Sequence, residues 1–487
     1  MNVRREAGEG DMANYAEFNR REFLKAGVSG TAGLAAMGGL GTLSRPQSVL
    51  GANDRVRVAI CGLHGRGMSH VHNFSQLPNV QIAAVCDVDE NVMRERLADM
   101  EKHGIARPAT FIDVRKLLED KTIDAISIAT PNHWHALMAI WACQAGKDVY
   151  VEKPGTHNIW EGQRLVAAAQ RYHRMVQHGT QIRSAAAVRE AIEKLHDGRI
   201  GEVYMARGLC FKWRDTIGRA PAQPVPAGVN YDLWTGPAPR RDFTMNRFHY
   251  KWHWFWNYGN GDLGNQGSHQ VDVARWGMGL KFPNKVSAQG GHFMFDDDQE
   301  TPNDIVCSFQ YDLANGKRRI INFEVRHWIS NHEAEIGTPE LGTAEQQRAP
   351  GQPRLGPLAG SHNTIGDIFY GSKGYLATGD EDADTYKVWM GPDQEAQPSV
   401  HAGAELDHFR NFIECVVSRK KENLHAPIEE GHISCGLVHL ANASYRLGRT
   451  LNFNPETQEV IGDHEAEVLL RDGDRGYRAP FVLPEVS

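Results

Sequence analysis

The chain has 487 residues, with 53 Lys and Arg against 60 Asp and Glu and a formal net charge of −7. That length exceeds what one hydrophobic core serves, so two domains with added segments are expected. A mildly acidic balance carries no electrostatic footprint for nucleic acid or anionic membranes, which leaves small molecules as the expected partners.

Residues 1–52 read as a leader. Arg20 and Arg21 are followed by Phe23, Leu24 and Lys25 and then by a glycine- and alanine-rich apolar run from Ala26 to Leu43, a pattern similar to a twin-arginine export signal. The run is too weakly hydrophobic for stable membrane insertion. The expectation is export in the folded state by the twin-arginine machinery to the periplasm or an equivalent compartment. Of the seven cysteines, Cys61, Cys86 and Cys143 fall in apolar patterns and no C-x-x-C occurs, so neither a disulfide framework nor a structural zinc site is expected.

From Arg55 the stretch VRVAICGLHGRGMSHVHNF predicts a strand, a glycine turn and a helix start, and VQIAAVCDVD predicts a second strand. The turn, Gly62-Leu-His64-Gly65-Arg66-Gly67, has G-x-x-G-x-G spacing. Asp87 closes the second strand, where a carboxylate accepts the ribose hydroxyls of an adenosine while amides at the helix start hold a pyrophosphate. That acid favours NAD over NADP, whose extra phosphate it repels. TFIDVRKLLED, IDAISIATPNHWHALMAIWACQAG and KDVYVEKP continue the strand–helix alternation into a doubly wound parallel sheet. Ligands of such sheets gather beyond the carboxyl ends of the strands, which brings Thr130, Pro131, Asn132 and His135, together with Glu152 and Lys153, to the cofactor crevice.

Further on, KVSAQGGHFMF, NDIVCSFQYD and KRRIINFEVRHW predict strands, the last two joined by an Asn315-Gly316 turn. Between them and the first domain lies an aromatic run from Phe248 to Tyr258, suited to stacking on sugar rings, then a glycine bend. Asn265, His269, Asp272 and Trp276 follow at helical spacing on one face. Residues 331–363 lack periodicity and predict a long loop reaching an active site or a neighbouring subunit. The helices HFRNFIECVVSRK and EEGHISCGLVHLANASYRLGR should return to the first domain. The pairs His133/His135 and His249/His253 lack H-E-x-x-H spacing or accompanying carboxylates, so no metal is expected.

The glycine turn, Asp87, TPNHWH and AGKDVYVEKP together resemble the glucose-fructose oxidoreductase and inositol dehydrogenase family (Gfo/Idh/MocA) over residues 55–450. The resemblance implies an NAD-binding Rossmann domain at 53–180. A substrate and oligomerisation domain, α+β with an open, mostly antiparallel sheet, would occupy 181–450, with a tail at 451–487. It also implies a homodimer or homotetramer. The lysine of the family's E-K-P motif contacts cofactor and substrate, a role that falls to Lys153. Many members carry D-x-G-x-H-x-x-D in the helix after the glycine bend; here His269 and Asp272 match while Asn265 replaces the first acid. An amide orients a hydroxyl but carries no proton, so the general-base role shifts to His269, helped by Lys153. Arg183, Trp213, Trp254, Asn265, His269 and Asp272 form the expected substrate-binding set.

The expected activity is therefore NAD(P)-dependent oxidation of a sugar or polyol hydroxyl. Free NAD is scarce outside the cytosol, so an exported enzyme needs a tightly bound cofactor in a redox-neutral cycle. The alternatives are an NAD-dependent glycosidase or lyase, working by transient sugar oxidation and elimination as α-N-acetylgalactosaminidases of this fold do, and a noncatalytic sugar-binding protein.

Overall fold

The computed structural model describes residues 55–338, 341, 363–380, 384–402, 406–471 and 476–486. The twin-arginine leader and most of the expected 331–363 loop lie outside the described residues.

β1 (Val56–Cys61), β2 (Val80–Cys86), β3 (Ala109–Phe111), β4 (Ala125–Ile128), β5 (Asp148–Glu152) and β6 (Val176–Gly179) form one sheet in the order β3-β2-β1-β4-β5-β6. Every pairing is parallel. Most of these strands are short, unbroken apolar runs because helices cover both faces, so no outward polar residue is required. Helices 132–144 and 159–171 pack Leu137, Ile140 and Leu165 against Ala59, Ile126 and Val149. On the other face, helix 66–75 supplies Val71 and Phe74 and helix 406–418 supplies Phe409 and Phe412. Phe409 stacks on Tyr150 of β5 at 4.8 Å between ring centroids, so a helix from the far end of the chain completes the first core as expected.

The second sheet includes β12 (Gly374–Thr378), β13 (Thr385–Met390), β14 (Glu395–Ala396), β15 (Val400–His401), β16 (Leu451–Asn454) and β17 (Glu459–Val460), and it runs β14-β13-β12-β11-β7-β10-β9-β8-β16-β17 with β15 beside β13. Its central strands are β7 (Val203–Lys212), β8 (Lys285–Gly291), β9 (Asp304–Asp312), β10 (Arg318–His327) and β11 (Thr364–Gly371). Among the described residues only β7 and β10 pair in parallel in this sheet; the remaining pairings are antiparallel. Gly316, at φ +77°, makes the expected turn between β9 and β10. Helices 267–277 and 428–447 lie on the inner face, where Val271, Ala274, Leu437 and Leu440 meet Phe309, Ile321 and Phe323.

Two expectations are corrected. The stretch 451–487 is no tail: β16 (Leu451–Asn454) pairs with β8, and Phe481 and Leu483 fill the core of the first domain. Nor do Asn265 and His269 share one helix, because the chain breaks at Gln266 between helices 261–265 and 267–277. All seven cysteines are free and buried. Among the described residues no helix is long and apolar enough to cross a membrane.

Between β7 and the helix at 261 the chain leaves the second sheet and runs across the carboxyl ends of the parallel strands. Asn230 N donates to Val88 O at 2.8 Å and Glu90 N to Gly228 O at 2.9 Å. Farther along, Trp134 Nε1 donates to Leu233 O at 3.0 Å. An aromatic core of its own, including Trp234, Phe248 and Tyr258, stiffens this roof.

Candidate active site

The order of the first sheet reverses between β1 and β4, and a cavity of about 330 Å³ opens there beneath the roof. Its floor begins with the glycine turn after β1. Gly62 has φ +85°, and a Cβ on it would meet Ala129 O at 2.7 Å; a Cβ on Gly67 would meet Gly62 O at 1.7 Å. These two glycines let β1, the turn and β4 approach one another. Around Gly65, by contrast, a Cβ would meet nothing within 4 Å, so its open side is space for a ligand at the start of helix 66–75.

Asp87 lines the cavity at the end of β2. Its carboxylate accepts from Leu63 N at 2.7 Å and Asp89 N at 3.0 Å, fixing the turn to the second strand. Burial pushes this carboxyl up to about 6, and the backbone N–H groups only partly oppose the rise. Next to it, Asp89 holds His249 Nε2 at 3.0 Å, and His249 of the roof stacks on His64 of the turn at 4.3 Å.

The carboxyl ends of β4 and β5 are joined by His135, whose Nε2 meets Thr130 O and whose Nδ1 meets Pro154 O, each at 2.7 Å. A neutral ring donates to only one of these carbonyls at a time, and burial lowers its proton affinity. Thr130 Oγ1, Asn132 Oδ1 and Gln181 Oε1 are buried, lack a hydrogen-bond partner, and belong to residues that line the cavity. Unsatisfied polar atoms beside an open glycine turn and a rim carboxylate suit the polar groups of a dinucleotide, so these residues fit the expected cofactor.

Glu152 is buried at the end of β5. It takes Arg66 Nε at 2.8 Å, His70 Nε2 at 2.9 Å and Gln181 Nε2 at 2.9 Å. Burial alone would raise its pKa, but Arg66 and His70 outweigh that and hold it well below the usual carboxylate range. It is a fixed anion rather than a proton carrier. Lys153 lines the cavity and turns its ammonium to helix 261–265, where Nζ donates to Asn265 O and, at 3.3 Å, to Asn265 Oδ1.

Asn265 also lines the cavity, and its Nδ2 donates to Asp262 Oδ1 at 2.8 Å. Asp262 is fully buried and gripped by Arg214 through Nε at 2.6 Å and Nη2 at 3.1 Å, with His327 Nε2 on Oδ2. Burial would raise its pKa; Arg214 and His327 more than offset that and keep it ionised. The acid missing at position 265 is thus replaced by one a helical turn earlier, connected through the amide to Lys153. Sequence reasoning missed Asp262. The G-N-G-D-L stretch contains it, but nothing local says that Arg214 will reach it.

Of the expected cofactor-contacting residues, Gly62, His64, Gly65, Arg66 and Asp87 line the cavity, as do Thr130, Pro131, Asn132, His135, Glu152 and Lys153. Gly67 is enclosed in the turn. The expected substrate set divides. Arg183 and Asp272 do not face the cavity: they pair with each other at 2.6 and 2.9 Å, buried, with Arg275, Ser434 and Glu430 completing the network. Their substrate-binding reading is corrected because both are committed to holding helix 267–277 to the 181–184 turn and helix 428–447. Trp254 is buried under Arg214, 4.9 Å from its ring centroid, and Trp213 packs toward Trp328. The roof instead offers Tyr250, Trp252 and His253 to the cavity.

His269 is fully buried and does not line the cavity that Lys153 lines, so the expectation of His269 as general base beside Lys153 is corrected: its ring is enclosed in the protein. His253 does face the cavity. Its Nδ1 lies 2.6 Å from the carbonyl oxygen of Tyr250, which can only accept, so the proton sits on Nδ1 and Nε2 is the accepting nitrogen. Burial, with Lys153 and Arg214 adding to it, lowers the pKa of this ring to about 3, leaving it neutral.

A six-stranded parallel sheet with a ligand cavity at its switch point, joined to a mostly antiparallel α/β domain, defines a two-domain dinucleotide-binding protein. Residues 56–180 match the Gfo/Idh/MocA model described as an oxidoreductase family with NAD-binding Rossmann fold. Residues 197–311 and 384–481 match that family's C-terminal alpha/beta domain. The chain belongs to the Gfo/Idh/MocA oxidoreductase family. Among curated relatives, a glycosyl hydrolase family 109 protein of Shewanella putrefaciens is 35% identical over 170 residues, 31% of this chain and 37% of the relative. The match therefore spans little more than a third of that relative's length. In fold the chain is similar to the aldose-aldose oxidoreductase of Caulobacter crescentus complexed with glycerol, at TM-score 0.59 and 17% identity, covering 82% of this chain and 100% of that one. It is also similar to the WlbA dehydrogenase of Bordetella pertussis in complex with NADH and UDP-GlcNAcA, at TM-score 0.57 and 17% identity, covering 82% and 99%.

Proposed function

We propose that the protein oxidises a hydroxyl-bearing carbon of a carbohydrate or polyol with NAD that stays bound, and returns the hydride before the cycle ends. The observation that carries this reading is Lys153, held on Asn265 at the cavity wall and continuous with the glycine turn that fits the dinucleotide. When bound, NAD supplies the hydride acceptor. Lys153 donates to the carbinol oxygen and stabilises the negative charge that develops there. Nε2 of His253 accepts the hydroxyl proton, and Asp262, through Asn265, holds Lys153 in place. Two neighbours of the same fold, the WlbA dehydrogenase in complex with UDP-GlcNAcA and the aldose-aldose oxidoreductase, support a carbohydrate substrate. The twin-arginine pattern in residues 1–52 supports export, and with it the need for a retained cofactor; a dimer or tetramer goes with the family.

The test is mass spectrometry of the gently denatured protein for released NAD, then Lys153→Ala, which should abolish turnover and leave folding intact. Full turnover in that variant overturns the assignment. A second reading, an NAD-dependent glycosidase, is favoured by the glycosyl hydrolase family 109 relatives. It predicts aglycone release from aryl glycosides without accumulation of reduced nicotinamide.

A further inference from the structure

The roof is fastened to the first domain along two lines, and Val88 of one and Trp134 of the other line the cavity. The first lies at the end of β2. There the bonds between Asn230 and Val88 and between Glu90 and Gly228 are extended by Asn91 Nδ2, which donates to Ala227 O at 2.8 Å, and by an antiparallel bridge of Asp89 with Val229. The second lies at the start of helix 132–144. Trp134 Nε1 donates to Leu233 O at 3.0 Å and to Trp234 O at 3.1 Å, and His133 Nε2 donates to Trp234 O at 3.0 Å. Leu233, Trp234 and His249 of the roof line the same cavity as Gly65 and Asp87.

Arg478, from the far end of the chain, completes the second line. Its Nη1 donates to Asp232 Oδ1 at 2.7 Å, its Nη2 to Asp232 O at 2.9 Å and its Nε to Gly236 O at 3.1 Å, so the guanidinium caps the carbonyl end of the short roof helix 231–235. The segment that carries it is anchored in the first domain on either side. Tyr477 OH donates to Glu161 Oε1 at 2.7 Å, and Phe481 is buried with its ring centroid 5.4 Å from that of Trp134. The guanidinium also lies 5.0 Å from the centroid of Phe481, while Arg478 itself does not line the cavity.

A dinucleotide along the carboxyl ends of the strands passes beneath this span, so it enters and leaves only when one line opens. The line at β2 is a backbone pairing continuous with the end of a buried strand. The other closes on an ion pair whose Asp232 carboxylate is half-exposed, and a pair open to water adds little stability and parts readily. The second line is therefore the one that opens.

Resting on the reading of this cavity as a site that keeps its NAD, we infer that the C-terminal segment is the clasp of that site: Arg478 fastens the roof over the bound dinucleotide and sets how fast it exchanges. Arg478 is a positioning residue that acts through Leu233 and Trp234. Because it stands outside the cavity lining, releasing it speeds entry and exit alike and leaves the affinity nearly unchanged. A group that shaped the pocket would raise the dissociation constant instead.

The test starts from the holoenzyme loaded with NAD and chased with an excess of isotopically labelled NAD, the exchange being followed by native mass spectrometry. Arg478→Met keeps the stem over Phe481 and removes the donors. Its exchange should be about tenfold or more faster, with the dissociation constant of the cofactor-stripped protein within about threefold of the parent. Arg478→Lys, which can still meet Asp232, should fall between the two. If the methionine variant does not fold, Asp232→Asn decides, and it should quicken exchange by about threefold or more. Exchange within about twofold of the parent in the deciding variant, or a dissociation constant that rises in step with the exit rate, overturns the inference. Slow exchange in the parent and in every variant removes the clasp and leaves the retained cofactor standing; fast exchange in the unaltered protein removes both. The assay contains no sugar, so its result is independent of the carbohydrate reading.

Discussion

The reassignment of Arg183 and Asp272 from substrate binding to scaffold is open to direct trial with Asp272→Asn. The native carboxylate accepts from Arg183 Nε at 2.6 Å and Nη2 at 2.9 Å, from Arg275 Nη2 at 3.3 Å, and from Ser434 Oγ. An amide there leaves two buried guanidinium groups with Glu430 as their remaining carboxylate. Breaking a buried pair on one side costs about 3–5 kcal/mol, a large share of the roughly 5–15 kcal/mol that holds a folded domain. Urea unfolding should show that loss as a lower midpoint at unchanged slope. Substrate affinity of the folded variant should stay within about twofold of the parent, because the altered atoms do not face the cavity. Replacing both partners, Arg183→Met with Asp272→Leu, should recover part of the stability, since no lone charge remains. Unchanged stability with a tenfold or greater loss of affinity, by about 1.4 kcal/mol, would refute the scaffold role and return both residues to the substrate.

Asp262, Asp272 and Glu152 are all held below their ordinary range in the folded state. Their stabilisation is complete above the unfolded carboxylate values of about 4 and is lost as pH falls through the folded ones, so acid unfolding should begin below about pH 4; circular dichroism against pH checks this. Asp87 runs the other way, with its carboxyl at about 6 in the folded protein. Its protonation removes an acceptor for the ribose, so NAD affinity of the cofactor-stripped protein should fall as pH drops below about 6, and Asp87→Asn should be weak and flat over the same range; fluorescence titration reads both. Gly65→Ala should leave stability within about 0.5 kcal/mol but weaken NAD about tenfold or more, because the added methyl points into ligand space rather than at the protein.

How much of this was legible depended on whether the cause was local. The Rossmann half could be read because strands buried on both faces are written as apolar runs, and because Gly62 and Gly67 answer steric demands set within a few residues. The ends of β4 and β5 could be read because the location of ligands in such sheets follows from topology alone. The break at Gln266 could not, since residues 265–276 keep a helical period on either side of it. Phe481 and Leu483, a few apolar residues in a polar ending, gave no sign that they fill a core more than 300 residues away in sequence, beside Trp134 and Leu137.

Polar residues were the harder problem. Asp272 and Asn265 looked alike from the sequence, as polar groups near a glycine bend, yet one faces Arg183 from 89 residues away and the other faces the cavity. Which partner a carboxylate finds is decided by tertiary pairing, and a buried ion pair leaves no period behind it. The same limit hid Asp262, which Arg214 and His327 hold as a fixed anion against the amide of Asn265. A fixed anion one turn back orients Asn265 and Asn265 orients Lys153; in the proposed reaction, proton acceptance falls to His253 on the roof. The departure from the family motif is therefore compensated within the same short helix, and activity should survive Asn265→Asp far better than Asp262→Asn. Steady-state kinetics of the two variants would decide it, and equal losses would show that position 265 alone matters.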